Sequence, residues 1–361
     1  MGREERPFSG VLIGMVSARP DTELATLLEE RERQGLDPPF VRAEPALRAD
    51  PRHCWPAVRT LVCVAILYPA GDGPAPTEGL WGQVARSFAG PDYHRRVRAE
   101  LARWAERLAG AGAGCSRWQA WVDSVPVVER WLAHRAGLGF FGRNCCLIHP
   151  RLGSWFWLGE LALDVDLDPR LLPEANSATG DCGSCRRCLE ACPTGALRAP
   201  YVLDFRRCLS YWTQAKGIIP RPYRGLMGSR LMGCDTCQEV CPYNQQDRER
   251  PPGPSRWLPL GPLLGPGAKK LVAGTALAWR GTTVLARNAA VALGNSRRPE
   301  AVELLAQAVR HHPSPVVRAH AAWALGRLGT AAALRVLREA ARRETEEMVQ
   351  QEIRRALEDS G

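Results

Sequence analysis

The chain has no apolar run near the roughly 18 residues that a bilayer-crossing helix needs, the longest being Leu61 to Leu67. A soluble, cytoplasmic protein with no membrane association is therefore expected. A charged-then-apolar leader is missing from Met1-Gly2-Arg3-Glu4-Glu5, so the 13 cysteines are not expected to form the disulfide framework of a short secreted domain. Dinucleotide chemistry also lacks its usual mark, because no G-x-G-x-x-G follows a strand and opens a helix. Lysine is scarce and most basic residues are Arg, with a formal net charge of +10 and a pI near 9.2. An excess of Arg suits a polyanion, through counterion release and the planar guanidinium fork, but a merely basic solvated surface is equally compatible with it.

What the chain does have is a cysteine-dense middle. Cys182, Cys185, Cys188 and Cys192-Pro193 follow the C-x₂-C-x₂-C-x₃-C-P spacing of bacterial ferredoxins, in which the fourth thiolate reaches over to the other cluster. Cys208 and then Cys234, Cys237 and Cys241-Pro242 complete a set of eight. The crossing rule assigns Cys182, Cys185, Cys188 and Cys241 to one [4Fe–4S] cluster, and Cys192, Cys208, Cys234 and Cys237 to a second. Structural zinc would account for two C-x-x-C pairs, yet it has no need of the third interval or of two Cys-Pro endings. The long interval between Cys208 and Cys234 marks an insertion. Cys54, Cys63, Cys115, Cys145 and Cys146 have no cluster spacing and read mostly as small buried hydrophobes.

At 361 residues the length allows two or three domains. Residues 9 to 17 and Leu61 to Tyr68 read as buried strands, Asp21 to Gln34 as a helix stopped at Gly35, and Trp118 to Val122 as a strand leading into Asp123. Val97, Leu101, Trp104, Ala105 and Leu108 form a helical stripe within Tyr93 to Ala109. A helix from about Val127 to Ala136 follows, then Gly137, Gly139 and Gly142, whose missing side chains permit close approach of a flat or phosphate-bearing ligand. Gly153 to Gly159 and Leu161 to Leu167 read as a strand pair. Alternating strands and helices give an α/β or α+β first domain. Arg250-Pro-Pro-Gly-Pro-Ser marks a boundary. Beyond it, Ala292-Leu293-Gly294 recurs as Ala324-Leu325-Gly326 and as Ala356-Leu357, spaced by 32 residues, which predicts HEAT-type helical repeats. Their basic positions Arg287, Arg318, Arg327 and Arg335 are candidates for a nucleic-acid surface, the alternative being a plain stabilising cap.

Two clusters deliver electrons singly but do not choose a substrate. Asp123 is the best acid candidate: set among Trp121, Val122 and Val125, its carboxyl would be desolvated, its pKa raised, and a proton available at neutral pH. The competing use is a helix cap.

Asp123-Ser-Val-Pro-Val-Val-Glu-Arg130, Ala136-Gly-Leu-Gly-Phe-Phe-Gly-Arg-Asn144, Gly153-Ser-Trp155, Gly233-Cys-Asp-Thr-Cys-Gln-Glu-Val-Cys-Pro-Tyr-Asn244 and the repeats occur together and in order. In this combination the chain resembles the epoxyqueuosine reductase family over nearly its whole length. The resemblance implies an α+β multidomain protein, with an α/β cobalamin-binding catalytic domain over 1–180, a ferredoxin-like two-cluster domain over 181–250, a connecting segment over 251–280 and HEAT-like helices over 281–361. It also implies an oxidoreductase that converts epoxyqueuosine to queuosine at the tRNA wobble position, using cobalamin, two [4Fe–4S] clusters and an external electron donor, and acting as a monomer on the anticodon stem-loop. Asp123 matches the family's proton donor, while Arg48, Asp123, Asn144, Leu147, Ser210 and Asp235 match segments that line the corrin. Arg143 replaces the family's usual lysine, Gln214 its usual glutamate, and Cys145 a common threonine. The alternative activity is that of another cobalamin and iron–sulfur reductase, of the reductive dehalogenase type. An electron carrier and a nucleic-acid adaptor with structural clusters are the non-enzymatic alternatives.

Overall fold

The computed structural model describes residues 10–41, 43–69, 73–173, 178–245 and 253–359. The leader reading at Met1 to Glu5 and the start of the Arg250 boundary lie outside them. The chain forms two compact units that interleave in sequence: residues 1–69, 93–205 and 236–250 make the first, and 70–92, 206–235 and 251–361 the second. The segment read as ferredoxin-like is thus divided between both. Among the described residues no helix is long and apolar enough to cross a membrane.

The first unit is built on a four-stranded antiparallel sheet in the order β1 (Val11–Ser17), β2 (Thr60–Leu67), β4 (Phe156–Leu163) and β3 (Trp118–Trp121). β2 is apolar almost throughout, because it is central and covered on both faces. On one face lies α3 (Tyr93–Gly110), whose Val97, Leu101, Ala105 and Leu108 pack on Val62, Val64, Leu161 and Leu163. Its approach is so close that a Cβ at Gly159 would come within 2.5 Å of Val97 Cγ1. The other face carries α4 (Glu129–Arg135), whose Leu132 and Ala133 pack on Leu61, Cys63, Trp121 and Ala162. Before these come α1 (Thr22–Arg33), capped by Asp21 Oδ1 accepting from the Leu24 amide at 2.9 Å, and the short α2 (Pro45–Ala49). The strand pair expected between Gly153 and Leu167 is one strand: Gly153 bridges back to His149, Ser154 lies in a turn, and Glu160 is tolerated mid-strand inside the sheet. α5 (Arg187–Ala191) carries Cys188.

The second unit contains a three-stranded sheet of Arg230–Met232, Trp81–Val84 and Trp257–Pro259, followed by the repeats. These are α6 (Thr282–Ser296), α7 (Ala301–His311), α8 (Pro315–Leu328), α9 (Ala331–Ala341) and α10 (Glu347–Glu358). The 32-residue spacing has a direct packing cause. A Cβ at Gly294 would lie 2.8 Å from Ala324, and one at Gly326 would lie 2.7 Å from Ala356, so each repeat seats its glycine on the next repeat's alanine. Among the basic positions only Arg335 is fully exposed. Arg287 is buried and donates to the carbonyls of Trp212 (2.9 Å) and Gly217 (2.7 Å), clamping the chain after the helix Leu209–Gln214; Arg318 is paired with Glu344 at 2.8 Å. These two arginines are structural, because their guanidinium groups are consumed inside the fold.

Candidate active site and cluster-binding loops

Asp123 stands two residues beyond the end of β3, with φ at +50°, a left-handed backbone conformation unusual for a residue with a side chain. The next residues run to α4, whose first residue, Glu129, reaches back so that its Oε1 accepts from the Asp123 amide at 2.7 Å. That bond holds the turn. The Asp123 carboxylate accepts from the Tyr93 hydroxyl, and His94 Nε2 lies 3.8 Å away. Tyr93 is fixed by stacking on Trp157, with ring centroids 5.6 Å apart at 3°. Burial and the neighbouring Asp123 charge push the Tyr93 phenol far up, so it remains a hydrogen-bond donor.

The desolvation expected at Asp123 is found elsewhere. The Asp123 side chain is 51% exposed, because the left-handed turn swings it out of the apolar setting that Trp121 and Val122 suggested. Burial falls on two other carboxyls. Glu129 is pushed up to about 8, first by burial and then by the Asp123 charge. Glu160 sits in β4 opposite Cys63 on one side and Trp121 on the other, is wholly buried, and neither carboxyl oxygen has a hydrogen-bond partner. Burial, and then the charges of Glu129 and Asp123, hold it well above the carboxylate range. A lone Glu in the apolar run Phe156-Trp-Leu-Gly-Glu-Leu-Ala-Leu163 was the signal available in sequence.

Asp123, Glu129 and Arg48 share a cavity of about 740 Å³, walled by Phe40, Leu47, Val125, Pro126, Val127 and Val128. Arg48 is held there by Asp37, Nη1 to Oδ2 at 2.8 Å. Broad apolar walls with a few polar ends suit a large flat ligand such as a corrin face. Of the other expected contacts, Asn144 lines a different cavity and Leu147 points into the core under α4. Ser210 and Asp235 belong to the second unit. There Ser210 accepts from Gln214 Nε2 through its carbonyl (2.9 Å) and hydroxyl (3.2 Å), and buried Asp235 accepts from the Arg86 amide (2.8 Å) and Arg256 Nη1 (3.2 Å). Gln214 thus folds back onto its own helix.

The second cavity, about 350 Å³, is lined by Cys182, Cys185, Cys188 and Cys241 together with Asn144 and Tyr243. Burial, then the adjacent Cys182 and Cys241, push the Cys188 thiol up to about 11. Four crowded thiols resist ionising together unless a cation lies among them, which fits an iron–sulfur cluster. Among the described residues no three His, Cys, Asp or Glu groups are placed to hold a single metal ion; these four surround a volume, as ligands to different irons must. Cys192 and Cys237 lie in the first unit, Cys208 and Cys234 in the second. Burial alone would raise the Cys192 thiol, but hydrogen bonds from Thr194, Leu197 and Ala196 outweigh it and lower the thiol, favouring the thiolate.

Motifs distant in sequence meet around the first set of cysteines. The hairpin Phe140–Phe141 with Leu147–Ile148 delivers Arg143, whose amide donates to Cys182 Sγ (3.5 Å) and whose guanidinium donates to the Cys185 (3.1 Å) and Gly183 carbonyls. Asn244 Oδ1 accepts from the Ser154 amide (2.7 Å), and its Nδ2 donates to Ser154 Oγ (2.9 Å) and the Gln238 carbonyl (2.8 Å). Gly139 and Gly142, expected to admit a ligand, serve this packing: a Cβ would lie 2.7 Å from the Ile148 carbonyl oxygen at Gly139 and 2.3 Å from Ile148 Cδ1 at Gly142. Of the five cysteines outside the clusters only Cys63 is fully buried. Cys115 donates to the Arg117 carbonyl at 3.1 Å, and Cys145 adopts φ of +64°.

Three family models match: "Epoxyqueuosine reductase QueG, DUF1730" over 48–124, "4Fe-4S double cluster binding domain" over 181–244, and "HEAT repeats" over 277–358. A curated epoxyqueuosine reductase from Bacillus cereus is 33% identical over 362 residues, covering 96% of this chain and 93% of its own. A crystal structure of selenomethionine-labelled epoxyqueuosine reductase superposes with a TM-score of 0.88 at 32% identity, covering 98% of this chain and 96% of its own. A second crystal structure, of epoxyqueuosine reductase with a tRNA-Tyr epoxyqueuosine-modified stem loop, gives 0.87 at 32% identity, with 96% and 94% covered. With fold, cysteine set, repeats and near-complete alignment in agreement, the chain belongs to the epoxyqueuosine reductase family.

Proposed function

We propose that this chain, an oxidoreductase by family, reduces the epoxide of epoxyqueuosine in tRNA to the alkene of queuosine. The balance is two electrons and two protons in, and one water out. Cys182, Cys185, Cys188 and Cys241 hold one [4Fe–4S] cluster, and Cys192, Cys208, Cys234 and Cys237 hold the second, following the spacing and the double-cluster match. Arg48 and the apolar residues Val125 to Val128 of the cavity beside Asp123 would hold cobalamin, which when bound would supply low-valent cobalt chemistry for reducing the epoxide.

The chain's own residues do the rest. Arg48 anchors the polar edge of the bound group, and Val125, Pro126, Val127 and Val128 keep water from one side. Tyr93 and His94 aim the Asp123 carboxyl, and Asp123 protonates the departing oxygen. The observation that carries this reading is the meeting of Arg48, Asp123 and the half-buried carboxyl of Glu129 in one cavity. The partner is a tRNA anticodon stem-loop, as in the related stem-loop complex, and the setting is a monomer in the cytoplasm with an external electron donor. The test is anaerobic turnover of epoxyqueuosine-containing tRNA with reductant, omitting cobalamin in one arm. Queuosine should form only with cobalamin; equal yield without it would overturn the reading.

A further inference from the structure

Asn288, His320 and Glu352 follow one another at the 32-residue period of the repeats, in α6, α8 and α10, and all three are buried. A helical array that packed only on itself would carry apolar residues at such a position, because a buried polar group costs free energy unless it finds a hydrogen-bond partner. Each of the three finds its partners beyond its own helix in the segment between Cys208 and Cys234. Asn288 Nδ2 donates to the Thr213 and Leu231 carbonyls, both at 2.7 Å. His320 Nε2 accepts from the Ile219 amide at 3.2 Å, and Glu352 receives Arg224 at 2.9 Å together with Arg221. Asn295, two turns beyond Asn288 on α6, donates to the Arg224 (2.8 Å) and Gly228 (3.0 Å) carbonyls of the same segment.

At the cysteine end, two side chains tie the arms of this insertion together. The Thr213 hydroxyl donates to the Ser210 carbonyl at 2.9 Å and accepts from the Gly233 amide at 2.8 Å. One hydroxyl thereby joins the residue two places after Cys208 to the residue immediately before Cys234. Asn288 closes the same junction from the repeats: its single amide nitrogen spans Thr213 on one arm and Leu231 on the other, while its Oδ1 accepts from Arg287 Nε at 3.0 Å. Gly233 is also confined from behind, since a Cβ there would lie 2.5 Å from Ala85 Cβ.

We propose that the helical repeats are part of the redox site: Asn288, His320 and Glu352 fix the insertion, and Asn288 with Thr213 sets the spacing of Cys208 and Cys234 as ligands of the second cluster. This rests on the reading of those two cysteines as cluster ligands. Without the clasp, residues 209–233 are a long loop whose ends must be brought together against closure entropy each time a cluster is assembled. With it, the two thiols are held in register before iron arrives. Asn288 and Thr213 are positioning residues; they act through the backbone beside the cysteines and bind no iron.

The test is anaerobic reconstitution of the full chain, followed by iron and sulfide analysis, a redox titration read by electron paramagnetic resonance, and hydrogen exchange of the peptide that carries Gly233. The natural chain should hold about eight irons and show two cluster couples. Asn288→Ala and Thr213→Val should each hold about half that iron, with one couple unmoved and the other shifted or lost. Thr213→Val keeps the shape of the side chain, so it decides the matter if Asn288→Ala does not fold. Thr213→Ser, which restores the hydroxyl, should recover both couples. In cluster-free protein, exchange at Gly233 should quicken about fivefold in Thr213→Val, the factor one lost hydrogen bond carries, and stay slow in Thr213→Ser. Arg318→Ala breaks the pair with Glu344 in the same repeats without touching the insertion, and should keep both clusters. Full iron and unmoved couples in Thr213→Val, or an equal iron loss in Arg318→Ala, overturn the proposal while the cluster assignment stands. A natural chain with only about four irons overturns the assignment of Cys208 and Cys234, and the proposal with it.

Discussion

Gly153→Ala offers a sharp test of how the first cluster loop is held. Gly153 has φ of +71°, and a Cβ there would lie 2.0 Å from Asn244 Oδ1 and 2.7 Å from the Tyr243 carbonyl oxygen. A separation of 2.0 Å is impossible, so Asn244 must move. Its movement would break the three bonds to Ser154 and Gln238, each worth about 1 kcal/mol net. Left-handed alanine adds about 1 kcal/mol more, so the variant should lose about 4 kcal/mol in the fold around the loop. The Asn244 amide also donates to the Cys241 carbonyl at 2.9 Å, so the loss reaches a proposed cluster ligand. Urea unfolding followed by circular dichroism should show a lower midpoint, and iron and acid-labile sulfide per chain should fall together after anaerobic reconstitution. A variant with an unchanged midpoint and full iron content would refute the claim that Asn244 braces the cluster loop.

In the second unit, Glu352 receives buried Arg224, Nη1 to Oε1 at 2.9 Å and Nη2 to Oε2 at 3.2 Å. Glu352→Ala strands that guanidinium, and thermal melting should report a loss of about 3 kcal/mol or more; a loss below about 1 kcal/mol would mean that Arg224 finds new partners. His320 is wholly buried, its Nε2 accepting from the Ile219 amide at 3.2 Å and its Nδ1 facing the Val316 carbonyl at 2.7 Å. Burial, aided by Arg224 and Arg287, holds its pKa well below the ordinary 6.5. Since the folded value is depressed, its contribution is complete above pH 6.5 and is lost as pH falls below it, by up to about 1.4 kcal/mol per pH unit. Denaturant midpoints from pH 7.5 to 5 should show this slope in the natural chain and a shallower one in His320→Gln.

Features whose cause is local were legible in the sequence. Short fixed intervals set one loop around one site, so the sequence could group Cys182, Cys185 and Cys188, and the structure lines them along one cavity. The repeats were legible through Gly294 and Gly326, since close helix contact demands small residues at a constant spacing. Features whose cause is a distant partner were not legible. Asp123 looked buried because its chain neighbours are apolar, yet a left-handed turn exposes it and transfers the desolvation to Glu129 and Glu160. Arg287 looked like a surface cation, and only the segment Trp212 to Gly217, whose carbonyls it binds, shows why it is inside. Glycines near Phe141 looked like ligand space, but Ile148 fills that space.

The central claim is that Asp123 delivers the proton to epoxyqueuosine in this chain, and Asp123→Asn tests it most directly. Reconstituted with clusters and cobalamin, the variant should keep the iron–sulfur and corrinoid absorbance of the natural protein. Nucleoside analysis of treated tRNA should then show epoxyqueuosine retained and queuosine at least 100-fold below wild type, in line with the loss of one general acid. Queuosine formed at the wild-type rate would contradict the account.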